Sequence, residues 1–224
     1  MPGVMTERYG NIRIPARVAD LGAFCRWLDA ADLPENLAVH FIDGEVWVDV
    51  MEEMFSHNRL KTALGITLGT LIEGNDLGLY VTDGMLLTNA EAGLGTEPDA
   101  MFLSNESMAA GRVTFAAGNR RKARATRVVG TPDLVVEVVS THTADKDTEW
   151  LMSAYHNARI REYWLIDARD EDDLRFDIYK RGPRGYVVSR KSDGWVKSVV
   201  LARHFRLARS TATSGYPRFT VEVR

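Results

Sequence analysis

A run of valines interrupted by a single acid constrains this chain more than anything else in it. Thr131-Pro132-Asp133-Leu134-Val135-Val136-Glu137-Val138-Val139-Ser140 reads as a turn and then a short buried strand over residues 134–139, because β-branched residues crowd in behind a proline. A carboxylate amid four valines is expensive to bury unless something pairs with it. A divalent cation shared with a second strand-end carboxylate is one such partner. An earlier Pro-Asp, in Glu97-Pro98-Asp99-Ala100-Met101-Phe102, offers that second ligand, since Asp99 opens the strand-like residues 100–103.

The 224 residues suffice for one domain with a substantial core. The formal net charge of -3 gives no whole-chain attraction to nucleic acid, so any such contact must come from a local basic patch. Arg120, Arg121, Lys122, Arg124 and Arg127 are the strongest local cluster; a grip on phosphates and a solvated loop are equally open readings. The single cysteine, Cys25, excludes an intramolecular disulfide framework and suits a reducing compartment. Within the amphipathic stretch 21–28 it reads as a small core side chain rather than a nucleophile. No apolar run approaches the roughly 20 residues that cross a bilayer. No basic-then-apolar signal segment is present, and a cytoplasmic location is expected.

Along the chain, residues 18–31 repeat apolar groups at helical spacing, with Leu21, Phe24 and Leu28 on one face. Residues 37–42 and 45–50 flank Asp43-Gly44, a strong hairpin signal. Ser56 is placed to cap a second helix carrying Leu60, Leu64, Leu68 and Leu71, which ends over 74–78. Strands are expected over 79–88, 99–103, 134–139 and 163–167, with a helix over 145–158. The region 105–130 is less regular. Further strands are expected near 174–180, 185–191 and 195–201. The predicted fold class is α/β with a mixed sheet. The predicted organisation is an N-terminal segment and helix over 1–36, a main unit over 37–207 and a tail over 208–224, within a single domain.

The acidic set is Glu45, Asp99 and Glu137, each in or beside a predicted strand. Hard oxygen ligands of this kind suit Mg²⁺ or Mn²⁺. Such an ion lowers the pKa of bound water and stabilises charge on a transferring phosphoryl group. The bland alternative stays open: Asp99 and Asp133 as turn residues after proline, and Glu137 paired with an Arg or Lys without metal. His57, after Ser56, is read either as a surface or capping histidine or as part of a site, and His142 is expected in a loop. No His-Glu-x-x-His, cysteine pair or Gly-rich phosphate loop occurs. No Gly-x-Ser-x-Gly setting surrounds Ser104 or Ser140, which argues against a serine hydrolase.

The chain resembles the Uma-two family of restriction-endonuclease-like proteins, within the PD-(D/E)XK nuclease superfamily, over about residues 37–207. The segments that carry the resemblance are Ile42-Asp43-Gly44-Glu45, Ser56-His57, Glu97-Pro98-Asp99, residues 131–140 and Glu162-Tyr163-Trp164-Leu165-Ile166-Asp167, with Gly185-Tyr186 and Trp195-Val196-Lys197-Ser198 in the later part. The ordered combination is specific, whereas any one segment is weak. The resemblance implies a restriction-endonuclease-like fold: a central mixed β-sheet flanked by helices, with additional strands near both ends. It also implies a Mg²⁺- or Mn²⁺-dependent endonuclease acting on DNA, with Asp99 and Glu137 as metal ligands and Glu45 and His57 at matching positions. A homodimer is the partner expected if both strands are cut, and no membrane is implied.

One departure matters. The superfamily pattern would place a lysine two residues after the acid, and position 139 is Val. The family's alternative, on the next helix four residues before a tyrosine, falls on Leu151, counted from Tyr155. Lys146 is the nearest remaining candidate on that helix, roughly 7 Å away at about 1.5 Å of rise per residue. Asp147 matches the family's acid in that segment. A catalytically degenerate module that binds nucleic acid or protein is therefore the alternative expectation.

Overall fold

In the computed structural model, the described residues are 4–5, 12–13, 18–31, 33, 37–50, 54–117, 125–140, 146–170 and 172–224, with Lys146 and Asp147 described through their backbone alone. The basic residues 120–124 and His142 lie outside the described residues.

Two short strands, β1 (Val4–Met5) and β2 (Ile12–Arg13), pair with each other. Helix α1 (Leu21–Ala30) starts three residues later than the expected span, because the Asp20 carboxylate accepts from Ala23 N at 2.7 Å and satisfies an orphan donor of the first turn. The hairpin of β3 (Leu37–Ile42) and β4 (Glu45–Val50) turns on Asp43 and Gly44, both at positive φ (50° and 82°), as an Asp-Gly turn between strands requires.

Helix α2 (Arg59–Gly74) buries Leu60, Leu64, Leu68 and Ile72. Ile72 rather than Leu71 completes the stripe. A wide, π-type turn over Met54–Asn58 precedes α2, so Ser56 sits inside that turn and does not cap the helix. The single strand expected over 79–88 is two, β5 (Gly78–Thr82) and β6 (Leu86–Asn89). Asp83 and Gly84 break it, with Gly84 at φ +81°.

Next come β7 (Leu94–Thr96), β8 (Ala100–Ser104) and the short α3 (Asn105–Ala109). The irregular region then supplies β9 (Val113–Ala117) and β10 (Ala125–Gly130). Strand β11 (Leu134–Val139) is buried along its whole length. A second π-type turn (Lys146–Trp150) leads into α4 (Leu151–Asn157) and then β12 (Glu162–Asp167). The remainder is all strand: β13 (Arg175–Arg181), β14 (Tyr186–Val188), β15 (Lys191–Ser192), β16 (Trp195–Ser198), β17 (Arg203–Thr211) and β18 (Pro217–Val223).

Mixed pairing is spread over two six-stranded sheets. One has the order β4-β3-β7-β6-β10-β9, and the other β14-β13-β12-β11-β8-β5. Each holds one parallel pair, β10 with β6 and β11 with β12, and the latter needs the α4 crossover. A four-stranded antiparallel sheet, β15-β16-β17-β18, holds the residues expected to form the tail.

Side-chain alternation sorts the core into layers. Leu134, Val136 and Val138 of β11 face α2 and the four-stranded sheet, with Phe205, Phe219 and Val221. Val135 and Val139 face the other six-stranded sheet and α4, with Leu87, Val128, Leu151 and Tyr155. Helix α1 covers the far side through Phe24, packed on Val39 and Phe41. Cys25 is half-buried against that cluster, and burial pushes its thiol up, with Arg127 opposing. Among the described residues, no helix is long and apolar enough to cross a membrane.

Candidate active site

Strand register assembles the acids. Ala100 of β8 faces Val136 of β11 in an antiparallel pair. One step further along each strand sets Asp99 against Glu137. The backbone confirms this approach: Val138 N donates to Asp99 Oδ2 at 2.6 Å. Glu137 is 4 % exposed and lies on the face of β11 that carries Val135 and Val139.

Helix α2 and the turn before it bring the cations. Lys61 Nζ lies 3.0 Å from Asp99 Oδ1 and 2.7 Å from Asp83 Oδ2. His57 Nε2 lies 3.5 Å from Asp99 Oδ2. Four residues separate His57 from Lys61, one helical turn, so the two share a face. Asp83 belongs to the same corner, since its N donates to the Asp99 carbonyl at 3.1 Å. Burial pushes the Asp99 carboxyl up. The His57 hydrogen bond, the Lys61 and His57 charges and the Val138 N–H outweigh it and hold that carboxyl below its ordinary range.

Glu137 is held differently. Tyr155 of α4 donates its hydroxyl to Glu137 Oε1 at 2.5 Å. Burial, then the Glu137 charge and the hydrogen bond to it, push the Tyr155 hydroxyl well above its ordinary value, so it remains a donor at neutral pH. The Thr96 side chain bonds to Tyr155 as well, and Thr96 Oγ1 lies 2.7 Å from His40 Nδ1. A buried polar chain thus runs from β3 through β7 to the acid on β11.

Of the residues singled out in the sequence, His57 meets Asp99, and strand register sets Glu137 opposite Asp99. Glu45 does not: it is exposed at the β3–β4 turn, and among the described residues no hydrogen bond or ion pair joins it to the other acids. The Lys146 side chain lies outside the described residues. Val139 and Leu151 are buried in the core, at 2 % and 0 % exposure. Asp133 is a structural tie at the far end of β8 and β11. Its Oδ2 accepts from Ser104 N at 2.8 Å, and its Oδ1 lies 3.7 Å from Arg161. Arg127 of the basic segment pairs with Asp29 of α1.

Sequence reasoning missed Lys61. Its one legible signal was the spacing from His57, and a lysine among helical leucines otherwise reads as a solvated position. Tyr155 served there only as a landmark, and its hydroxyl contact depends on how α4 folds back over β11.

The donors in question are two carboxylates at opposed register positions on adjacent strands, hard ligands of the kind Mg²⁺ takes. Among the described residues no three His, Cys, Asp or Glu side chains are arranged to hold a metal ion. A cation would then rest on two protein carboxylates with water and phosphate oxygens around the remainder, a usual arrangement for Mg²⁺.

The model of the Uma2 (Uma-two) family, described as "Putative restriction endonuclease", matches residues 23–212. The chain belongs to the Uma2 family. A crystal structure described as a "putative nuclease belonging to DUF820" from Anabaena variabilis ATCC 29413 shares the fold, with a TM-score of 0.61 at 15 % identity over 82 % of this chain and 90 % of that one. No curated protein matches the chain.

Proposed function

We propose that this chain is a metal-dependent endonuclease that hydrolyses DNA phosphodiester bonds, with Asp99 and Glu137 as its cation ligands. The observation that carries the proposal is the Lys61 ammonium 3.0 Å from Asp99. Nucleases of this superfamily use two acids and a lysine, and the lysine is absent here from positions 139 and 151. Lys61 brings an amine to Asp99 from α2 instead.

A cation bound between Asp99 and Glu137 would supply a lowered pKa for water and neutralise charge at the phosphoryl group. The protein's own groups do the rest. Lys61, held between Asp83 and Asp99, keeps a fixed positive charge beside the acids, where developing negative charge is stabilised without reorganisation. His57 braces Asp99. Tyr155 fixes the orientation of Glu137. The assisting role of Glu45 rests on the family resemblance alone.

The test is cleavage of supercoiled plasmid with Mg²⁺ or Mn²⁺ by wild type, Asp99→Asn, Glu137→Gln and Lys61→Met. Cutting by wild type that falls to background in the two acid variants, and by about 100-fold or more in Lys61→Met, is expected. Cutting that survives both acid substitutions would assign the activity to a contaminant and end the proposal.

A second reading has one observation in its favour. Lys61 bridging Asp83 and Asp99 neutralises the acids without any cation, as a non-cleaving nucleic-acid-binding module would need. Duplex binding at low salt, with neither turnover nor Mg²⁺ binding by calorimetry, selects that reading.

A further inference from the structure

We propose that the outer face of the β15–β18 sheet is a docking surface for the phosphate backbone of double-stranded DNA. The inner face of this sheet is apolar: Val196, Phe205, Phe219 and Val221 belong to the core. The alternate positions therefore point outward. Strand register sets them in rows. Trp195, Arg206 and Glu222 form one row, and Lys197, His204 and Arg224 the next. Ala208 and Thr220 face each other, and Ser210 faces Arg218.

Four cationic side chains thus stand on this face against one acidic side chain. Glu222 is committed to Arg206, with its Oε2 accepting from Nε at 2.6 Å. Lys197, Arg218 and Arg224 are exposed, and among the described residues no ion pair engages them. The imbalance is local. Residues 190–224 hold eight Lys and Arg against two Asp and Glu, while the whole chain holds 28 against 31. An ordinary solvated face intersperses both signs.

The array is also fixed in place. The Arg224 and Arg206 guanidinium groups lie 4.2 and 4.9 Å from the Trp195 ring centroid. Arg218 and Arg224 stand six residues apart, roughly 20 Å along an extended strand, a span of about six phosphates on one DNA strand. Thr220 and Ser210 add hydroxyls between them, groups that contact phosphate readily. Ala208 is the one aliphatic side chain on the face, and the Trp195 ring is covered by the Arg206 and Arg224 guanidinium groups, so little apolar surface is offered to a lipid layer. A rigid, hydroxylated cationic sheet fits a nucleic-acid backbone better than a membrane.

The choice of DNA as the polyanion rests on the nuclease reading, but the surface is testable without cleavage. Binding of a labelled 20-base-pair duplex to the full chain is measured in EDTA, as a function of salt. Each lost phosphate contact makes the slope of log K against log salt shallower by about 0.9. Lys197→Ala/Arg218→Ala/Arg224→Ala is expected to flatten the slope by about two to three and to weaken binding about tenfold or more at 100 mM salt. Thr220→Lys, which adds a cation to the same face, is expected to steepen it by about one. A thermal melt checks that each variant is folded. Equal slopes for wild type and both variants, or no duplex binding at low salt while anionic vesicles are bound, would overturn the surface. Slopes that shift as expected in a protein that cuts no plasmid would support the surface and refute the nuclease reading. Plasmid cutting with unchanged slopes would do the reverse.

Discussion

Two buried acids on neighbouring parallel strands make the instructive contrast. Glu137 sits near the end of β11 and Glu162 opens β12. Both are removed from water, at 4 % and 0 % exposure. Glu162 is satisfied wholly by neutral donors. Its Oε1 accepts from Trp164 Nε1 at 2.7 Å and Ser198 Oγ at 2.6 Å, and its Oε2 from Val199 N at 2.7 Å and Val200 N at 3.2 Å. Burial still wins, and its carboxyl is pushed up. The Asp99–Glu137 corner instead carries an ammonium, an imidazole and a tyrosine hydroxyl, and the Asp99 carboxyl is held low. A buried acid inside a strand is thus no mark of chemistry by itself. Its partners decide: Glu162 is a knot tying β12 to the β16 end of the C-terminal sheet, and Glu137 belongs to a charged corner.

The comparison breaks if the two acids respond alike. The largest stability effect is expected from Glu162→Leu, which strands four donors in the core. At about 1–3 kcal/mol for each buried unsatisfied group, partly relieved by relaxation, the loss should be about 4 kcal/mol in urea unfolding, with no direct role in cutting. Lys61→Met comes next. It leaves a buried Asp99 without its closest cation and should cost about 3 kcal/mol together with the loss of cleavage. If Lys61→Met were the more damaging to the fold, Lys61 would be the structural member of the comparison. Tyr155→Phe removes one hydrogen bond to a carboxylate and should cost about 2 kcal/mol, read from the same unfolding curves.

The smallest effect is in pH dependence, and its sign sharpens the contrast. Glu162 has a raised carboxyl, so its contribution to stability is full below its ordinary value of 4.5 and declines as pH rises toward the raised one. Asp177 is pushed up by burial but held down overall by Lys191 and Arg175, so its contribution is full above its ordinary value of 3.8 and is lost as pH falls below it. Unfolding free energies at pH 3 to 7 for Glu162→Gln and Asp177→Asn, each against wild type, should therefore diverge in opposite directions. Parallel curves would show that cationic and neutral partners are equivalent here.

Much of the architecture was legible where local signals agreed. The Asp43-Gly44 hairpin, the leucine face of α2 and the valine run of β11 each combine patterning with a turn or a propensity. The β17–β18 hairpin was not legible, because Ala208 on the outer face and Arg209 on the inner one break its alternation. The split between β5 and β6 was also hidden, since continuous apolar character does not say which sheet a strand joins. Asp99, Glu137 and His57 were readable from the ordered motifs, and the fold sets His57 against Asp99 and Asp99 opposite Glu137 in register. Lys61 was not, because whether a helical lysine points to solvent or to an acid is settled by packing between α2 and the start of β8. Glu162 stood in the sequence as openly as Glu137, and its donors on β16 and the loop after it lie 36–38 residues further on.

The position of β18 carries one more consequence, for the order of events during synthesis. Thr67 Oγ1 of α2 donates to the Val221 carbonyl at 3.3 Å, across 154 residues of chain, and Phe219 and Val221 cover the same core that α2 faces. The helix that bears Lys61 therefore gains its final support from strand residues made long after it. Domains emerge from the ribosome N-terminal end first, and contacts of such long range close late. A nascent chain that already displays Asp99 and Glu137 still lacks a settled Lys61 until Val221 has emerged, 154 residues after Thr67.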